Sequence, residues 1–397
     1  FQAEDGIRDV ERSRGLGDVY KGQMKPSSAS ERARRILEYS LKLRELLRRR
    51  DIVDILEAIL DTSPPLKLTA IASKLSTSVD AIRRKLRIIK NARINIRVDI
   101  NHYGMGLLKL IVMIYGILDK IPAPLSYILK WKAYILSPRP ITMLIFYQPV
   151  NVNEKLILNT LEQYKIIKFF KAQLTIYNKP KFSRYFDPRT CKFIYPWNEI
   201  KNKIEMNLSF LRPPTPTFFK RLDWLDVLII SVLEDNALIG IGDIAKRLHV
   251  PRNRISSHYK NHLLQTGIVR GFSLAYAPFP LEGSFYIIVY MKGDIKKIYP
   301  IVSTIRELVG FGSANLDIEN GNAICAFVLP YDVLSGFIEF LNWLRKYVDD
   351  IEVYVVDRLS VKSYSVPFFV YSPEARFWDL NVYEYMKEKF EKLFQKK

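Results

Sequence analysis

Arg83, Arg84 and Arg87 stand within five residues of one another, and Lys90 follows one turn later, in the segment VDAIRRKLRIIKN (79–91). Val79, Ile82, Leu86 and Ile89 recur in the same segment at the spacing of one helical face, so the spacing predicts a helix that turns its cations outward. Guanidinium groups on such a helix can hydrogen-bond phosphate oxygens and guanine edges in a major groove. Arg93 and Arg97 lie just beyond, in NARINIRVDI, where they are expected to reach phosphates. A second set, Arg252, Asn253, Ser256, Ser257 and Lys260, projects from a helix whose inward residues are Ile255, Tyr259 and Leu263. It is less charged, and Asn253 is the residue suited to an adenine edge.

Other chemistry finds less support. His258 and His262 are four residues apart and could face one metal ion, but no third ligand is evident in the sequence, so no metal site is expected. Cys191 and Cys325 are too few for a disulfide framework or a cysteine zinc site, and each reads as a packed thiol. The chain has no phosphate-binding glycine loop, serine elbow or catalytic carboxylate pair, and the glycines of GMG (104–106) are too few for a nucleotide site. Forty-five Phe and Tyr residues and five Trp could stack on bases, yet most fall in alternating strand patterns that suit a core.

The charge balance agrees with the arginine helices. Among 397 residues, 48% are hydrophobic and 26% charged, with 61 Lys and Arg against 41 Asp and Glu, a net charge of +20. That composition excludes a disordered tail and points to a polyanionic partner, nucleic acid before a membrane surface. Residues 24–200 carry +18 and residues 201–397 only +3, so the first half should hold most of the phosphate-binding surface. The apolar run LLKLIVMIYGIL (107–118) contains Lys109 and is too short to span a bilayer; a buried strand is expected. Residues 1–23 resemble a translated sequencing adapter and are set aside, the protein being expected to begin at Met24. Cysteine usage suggests the cytoplasm, and abundant Ile and Lys with few Gln suggest an archaeal source.

The elements that must position these side chains occur twice. Residues 24–50 form an amphipathic helix. Residues 51–100 read as a winged helix-turn-helix, with helices at 51–60, 69–75 and 78–90, caps at Thr69 and Ser78, and a wing at 91–100. Residues 101–180 follow the β-α-β-β-α-β order, with helices at 124–131 and 153–165. After a proline-rich linker (181–220), residues 221–276 repeat the helix-turn-helix, capped by Asp223 and closed by Gly267, and residues 277–365 repeat the β-α-β-β-α-β order. A tail with a helix occupies 366–397. Matched residues lie 173 apart at Ile82 and Ile255 and 185 apart at Pro188 and Pro373; Lys192 and Phe193 are matched to Arg376 and Phe377. The fold class is therefore α+β, two winged helix-turn-helix domains each followed by a ferredoxin-like domain.

This arrangement resembles the Lrp/AsnC family of prokaryotic transcription regulators, in tandem on one chain, on the strength of TAIASKLSTSVDAIRRKL and GDIAKRLHVPRNRISSHYKN. The resemblance implies a cytoplasmic, sequence-specific regulator that binds double-stranded DNA, as a homodimer or as an intrachain pseudo-dimer, with no membrane association. The alternative is an architectural DNA-binding protein or a protein-interaction scaffold. The family's glycine-and-aspartate effector loop has no counterpart, since Gly310, Gly312 and Gly321 occur only in the second copy; the effector is unknown and no cofactor is expected. Siroheme decarboxylases are similar to the same architecture and use histidines of the sensor-like domain. Here His102 alone lies near that region, so the chain is expected not to be an enzyme.

Overall fold

The computed structural model describes residues 29–123, 125–218, 222–373 and 375–380. Residues 1–23, and the tail helix expected beyond 380, lie outside them. The N-terminal helix α1 (Ala29–Leu47) packs Leu43, Leu46 and Leu47 into the chain's own core, and Arg32 donates to the Leu359 carbonyl. Helices α2 (Arg50–Leu60), α3 (Leu68–Lys74) and α4 (Val79–Asn91) then make the first helix-turn-helix. Ile52, Ile55 and Ile59 of α2 meet Ile71 and Ile82 in one buried cluster. Each such side chain contributes about 1.5–3 kcal/mol when fully buried. Ser78 caps α4 by accepting from the Ala81 N–H. Thr69 is not the cap of α3; the helix starts one residue earlier, with Lys67 at the cap position and no side-chain cap bond.

Strand β1 (Asn95–Ile100) leads into the first ferredoxin-like unit: β2 (Leu107–Tyr115), β3 (Leu129–Leu136), β4 (Ile141–Pro149), α5 (Glu154–Thr160), β5 (Ile166–Ala172) and β6 (Leu174–Tyr177). Leu110, Val112 and Ile114 of β2 face one core and Ile111 and Met113 another, so both faces are covered and the apolar run is continuous rather than alternating. Among the described residues the helix expected at 124–131 is absent. Leu125–Tyr127 makes one 3-10 turn, and residues from Leu129 are already strand. Pairing with β4 draws the chain from Leu129 onward into β3, which leaves too few residues before it for a full helix.

A short hairpin of β7 (Phe186–Asp187) and β8 (Lys192–Phe193) and helix α6 (Trp197–Phe210) occupy much of the expected linker. The second copy follows: α7 (Trp224–Asp235), α8 (Ile241–Leu248), α9 (Arg252–His258) continued by a π-helical turn (Tyr259–Leu264), and β9 (Val269–Ala275). Its ferredoxin-like unit comprises β10 (Ser284–Lys292), α10 (Ile295–Ile305), β11 (Phe311–Asp317), β12 (Asn322–Pro330), α11 (Leu334–Leu344) and β13 (Asp350–Val356). Three short strands end it, β14 (Lys362–Ser363), β15 (Tyr371–Ser372) and β16 (Phe377–Trp378). Asp223 caps α7 through a reciprocal pair of bonds with Asp226, and Gly267 closes the third helix at φ +70°. Pro251 stands at the cap of α9.

The duplication can be followed backbone by backbone. The helix-turn-helix turns carry left-handed Ser76 and His249, 173 residues apart; the third helices end at left-handed Arg93 and Gly267, 174 apart. Offsets grow to 177 at β2 and β10, 181 at β4 and β12, and 184 at β5 and β13. In each unit the strands lie in the ferredoxin-like order, fourth, first, third, second. The units join as β3 pairs with β13 and β6 with β11. Since β6 continues β5 past Gln173, the two sheets close on one another around Ile111, Met113, Ile145 and Phe170 from one copy and Ile288, Tyr290 and Ile324 from the other. The pseudo-dimer is thus formed within the chain.

The strands assigned to the two wings are both present, but they pair with each other. In the antiparallel β1 and β9 ladder Val98 faces Phe272, its own counterpart 174 residues on, so the pseudo-twofold axis passes through that pair. The tails are exchanged in the same sense. Phe193 of the first packs edge-on to Phe279 of the second copy, while the Trp378 indole of the second donates to the Met105 carbonyl in the first. Left-handed Cys191 and Arg376 match at an offset of 185, which sets Lys192 against Phe377 and Phe193 against Trp378, one residue from the pairing read in the sequence.

Candidate functional site

Ile82 and Ile89 anchor α4 inward, and Lys85 ties it to α2 through Asp51 at 3.0 Å. Arg83, Arg84, Arg87 and Lys90 are left exposed along its outer side. Arg83 is engaged by Asp80 at 2.9 Å, whereas among the described residues no carboxylate lies within 4 Å of Arg84, Arg87 or Lys90. Arg93 is exposed at the helix end. On α9, Arg252, Asn253, Ser256, Ser257 and Lys260 are likewise exposed. The Asn253 carboxamide oxygen accepts from the Arg254 N–H. Arg254, which sequence reasoning passed over, is also exposed; it is the last base of the run PRNR. Residues 51–93 carry eight Lys and Arg against five Asp and Glu, while residues 223–266 carry five of each, so the first head is the more cationic.

Arg97 falls elsewhere. It is exposed on β1, but its guanidinium lies close enough to Lys130, Tyr147, Tyr177 and Glu234 to act on their ionisation. These residues belong to an ionisable cluster between the β1 and β9 ladder and the first ferredoxin-like sheet. His102, only 6% exposed, sets Nε2 3.1 Å from the Tyr147 hydroxyl and 4.0 Å from a Glu234 carboxylate oxygen. Lys109 donates to Thr175 Oγ1 at 2.7 Å and to Asn315 Oδ1 at 3.2 Å, and Arg270 holds Asp99 at 2.7 Å. Burial, then the neighbouring Lys109, Lys130 and Arg270 charges, hold the His102 imidazole well below the usual histidine range. Burial likewise pushes Lys109 and Lys130 down and Glu234 up. His102 Nδ1 and Glu234 Oε2 are buried without a hydrogen-bond partner. The cluster is not visible in the sequence because its members are scattered along the chain from Arg97 to Asn315.

A second grouping joins α7 to α9. Both His258 and His262 turn Nδ1 toward the wholly buried Asp226 carboxylate, at 3.0 Å each, and His258 Nδ1 lies 3.6 Å from Asp223. The third ligand-type side chain missing from the sequence analysis is therefore present, with a fourth; its signal was the DxxD cap of α7. Cys325 is buried as expected, which pushes its thiol up. Among the described residues no helix is long and apolar enough to cross a membrane.

The chain matches no protein-family model and no curated protein. Among solved structures it is similar to the siroheme decarboxylase NirDL in complex with an iron-uroporphyrin III analogue, at 11% identity and a TM-score of 0.49 over 86% of this chain and 98% of that one. A second NirDL structure gives 10% identity, 87% and 99% coverage, and the same TM-score. PH0061 is similar at 22% identity over 35% of this chain and 95% of its own, with a TM-score of 0.27. The likeness is one of fold. The expectation that the chain is not an enzyme is thereby corrected, since the NirDL structures to which it is similar are those of an enzyme.

Proposed function

We propose that the chain binds double-stranded DNA through α4 and α9 and acts as a sequence-specific transcription regulator with both reading heads on one polypeptide. The observation that carries this reading is the row Arg84, Arg87 and Lys90, exposed on a third helix of a helix-turn-helix with no carboxylate within 4 Å among the described residues. Unneutralised cations at helical spacing are what phosphate contact and base-edge hydrogen bonding require. Arg83, Arg93, Arg252, Asn253, Ser256, Ser257 and Lys260 extend the same surface, whereas Arg97 is exposed on β1, away from the reading helices.

Duplex binding measured across salt concentrations tests the proposal. Each phosphate contact contributes about 0.9 to the log-log slope, so Arg84→Ala with Arg87→Ala should flatten it by roughly 1.8. A salt-independent affinity, or equal protection of every sequence in footprinting, would refute it.

A second reading gives the ionisable cluster a role of its own, in binding or transforming a small anion. The observation that favours it is a buried His102 Nδ1 with no partner beside Lys109, Lys130 and Arg270. Perturbed ionisation at a buried polar cluster is typical of functional sites. Replacing His102 would then abolish ligand binding and leave the DNA salt slope intact.

A further inference from the structure

We infer that Asp223, Asp226, His258 and His262 form a binding site for a divalent transition metal of the zinc class. The four side chains can each present one ligand atom with all four atoms within 4.8 Å of one another. A tetrahedral zinc site with bonds of about 2.0–2.2 Å places its ligand atoms about 3.4 Å apart. The separations here, 3.0 Å from each imidazole to Asp226 and 3.6 Å from His258 to Asp223, bracket that value. Two imidazoles and two carboxylates are nitrogen and oxygen donors of the kind that suit zinc, cobalt or nickel rather than calcium or magnesium.

The site is braced as metal sites are. Asp223 Oδ1 accepts from the Asp226 N–H and Asp226 Oδ2 from the Asp223 N–H, both at 3.0 Å, so the α7 cap fixes both carboxylates before any ion arrives. Asp226 is wholly buried, while Asp223 and His262 are about one-third exposed, which opens an entry path from solvent.

An independent observation comes from the duplication. Between the left-handed turn of the helix-turn-helix and the end of the third helix, the offset rises from 173 to 174, so the second copy holds one extra residue there. The extra residue is absorbed by the π-helical turn Tyr259–Leu264, the segment that carries His262 and begins beside His258. Single π turns are rare and concentrate at functional sites. The first copy has neither the π turn nor histidines at the matching positions, where Lys85 and Ile88 or Ile89 stand. A bound ion would tie α9 to the start of α7 and so fix the third helix against the first within the second head.

The test is titration of the purified full chain, freed of metal by chelator, with Zn²⁺ by calorimetry and with Co²⁺ by visible absorption, which reports tetrahedral coordination directly. One equivalent should bind, with a rise in melting temperature. His262→Gln should weaken binding by more than about tenfold, because even outer-shell partners of metal ligands are worth about 10–100-fold. His249→Ala, at an exposed histidine outside the cluster, should leave binding unchanged. The assignment is overturned if the parent chain takes up neither ion, or if His262→Gln, folded by circular dichroism, binds as tightly as the parent. Should His262→Gln fail to fold, the Co²⁺ spectrum of the parent decides, an octahedral or absent band overturning the site. The assignment stands apart from the proposed function: metal that binds as described while duplex affinity is absent would refute the regulator and leave the site.

Discussion

Replacing His102 by glutamine should make the chain more resistant to mild acid. The imidazole is 6% exposed and its Nδ1 has no partner; burial, then the charges of Lys109, Lys130 and Arg270, oppose its protonation in the folded chain. In the unfolded chain it titrates near 6.5. Below that pH the unfolded state binds the additional proton, and stability falls as pH falls. A histidine that does not protonate in the folded state over this range removes at most about 1.4 kcal/mol between pH 7.5 and 5.5, with the loss concentrated below 6.5. His102→Gln keeps a polar group for the Tyr147 hydroxyl and cannot titrate in this range. Urea denaturation at pH 7.5, 6.5 and 5.5 should therefore show the parent losing up to about 1.4 kcal/mol more than the variant. Parallel losses, within about 0.3 kcal/mol, would mean that the imidazole charges in place and that the cluster is open to water.

Trp378→Ala should cost about 3–5 kcal/mol in chemical denaturation, because a buried indole that donates to Met105 is removed from the opposite copy's surface; a cost below 1 kcal/mol would show that the exchanged tail does not hold the halves together. Arg83→Ala should change stability by less than about 1 kcal/mol, since its pair with Asp80 is solvent-exposed, while still lowering duplex affinity. A large stability loss would mean the arginine is structural. Phe272→Ala, at the pseudo-twofold axis, should cost about 3–5 kcal/mol and loosen both heads together, which hydrogen exchange of α4 and α9 would register.

What was legible in the sequence was local or periodic. Ser78 and Asp223 announced their helices because capping needs only a side chain and an amide a few residues apart. The duplication was legible because buried positions keep their spacing, and the reading helices because Ile82 and Ile255 set which side faces out. The helix at 124–131 failed because pairing with β4, a contact between distant residues, takes the segment from Leu129 into the sheet. The pairing of β1 with β9, the exchanged tails and the Asp and His grouping all join residues more than 30 positions apart, and no periodicity encodes such contacts.

Placing both copies on one chain changes what each is free to become. In a symmetric pair of identical chains, any substitution appears twice, so a residue that improves one head alters the other identically. Here the axis at Val98 and Phe272 is preserved as packing while its two sides have separated: eight bases against five acids in the first head, five against five in the second. Among the described residues the first ferredoxin-like unit has only a 3-10 turn where the second has α10, and the second head has a π turn and two histidines that the first lacks. The buried cluster also breaks the symmetry, since it draws His102, Lys109 and Lys130 from one copy and Glu234 and Arg270 from the other. Under the proposed function, the head with the larger excess of bases supplies more of the phosphate affinity and the other is open to a separate task. Duplex affinity should consequently respond to Zn²⁺ through α9 in the parent and lose that response in His262→Gln, whereas the salt slope set by Arg84 and Arg87 should be the same in both.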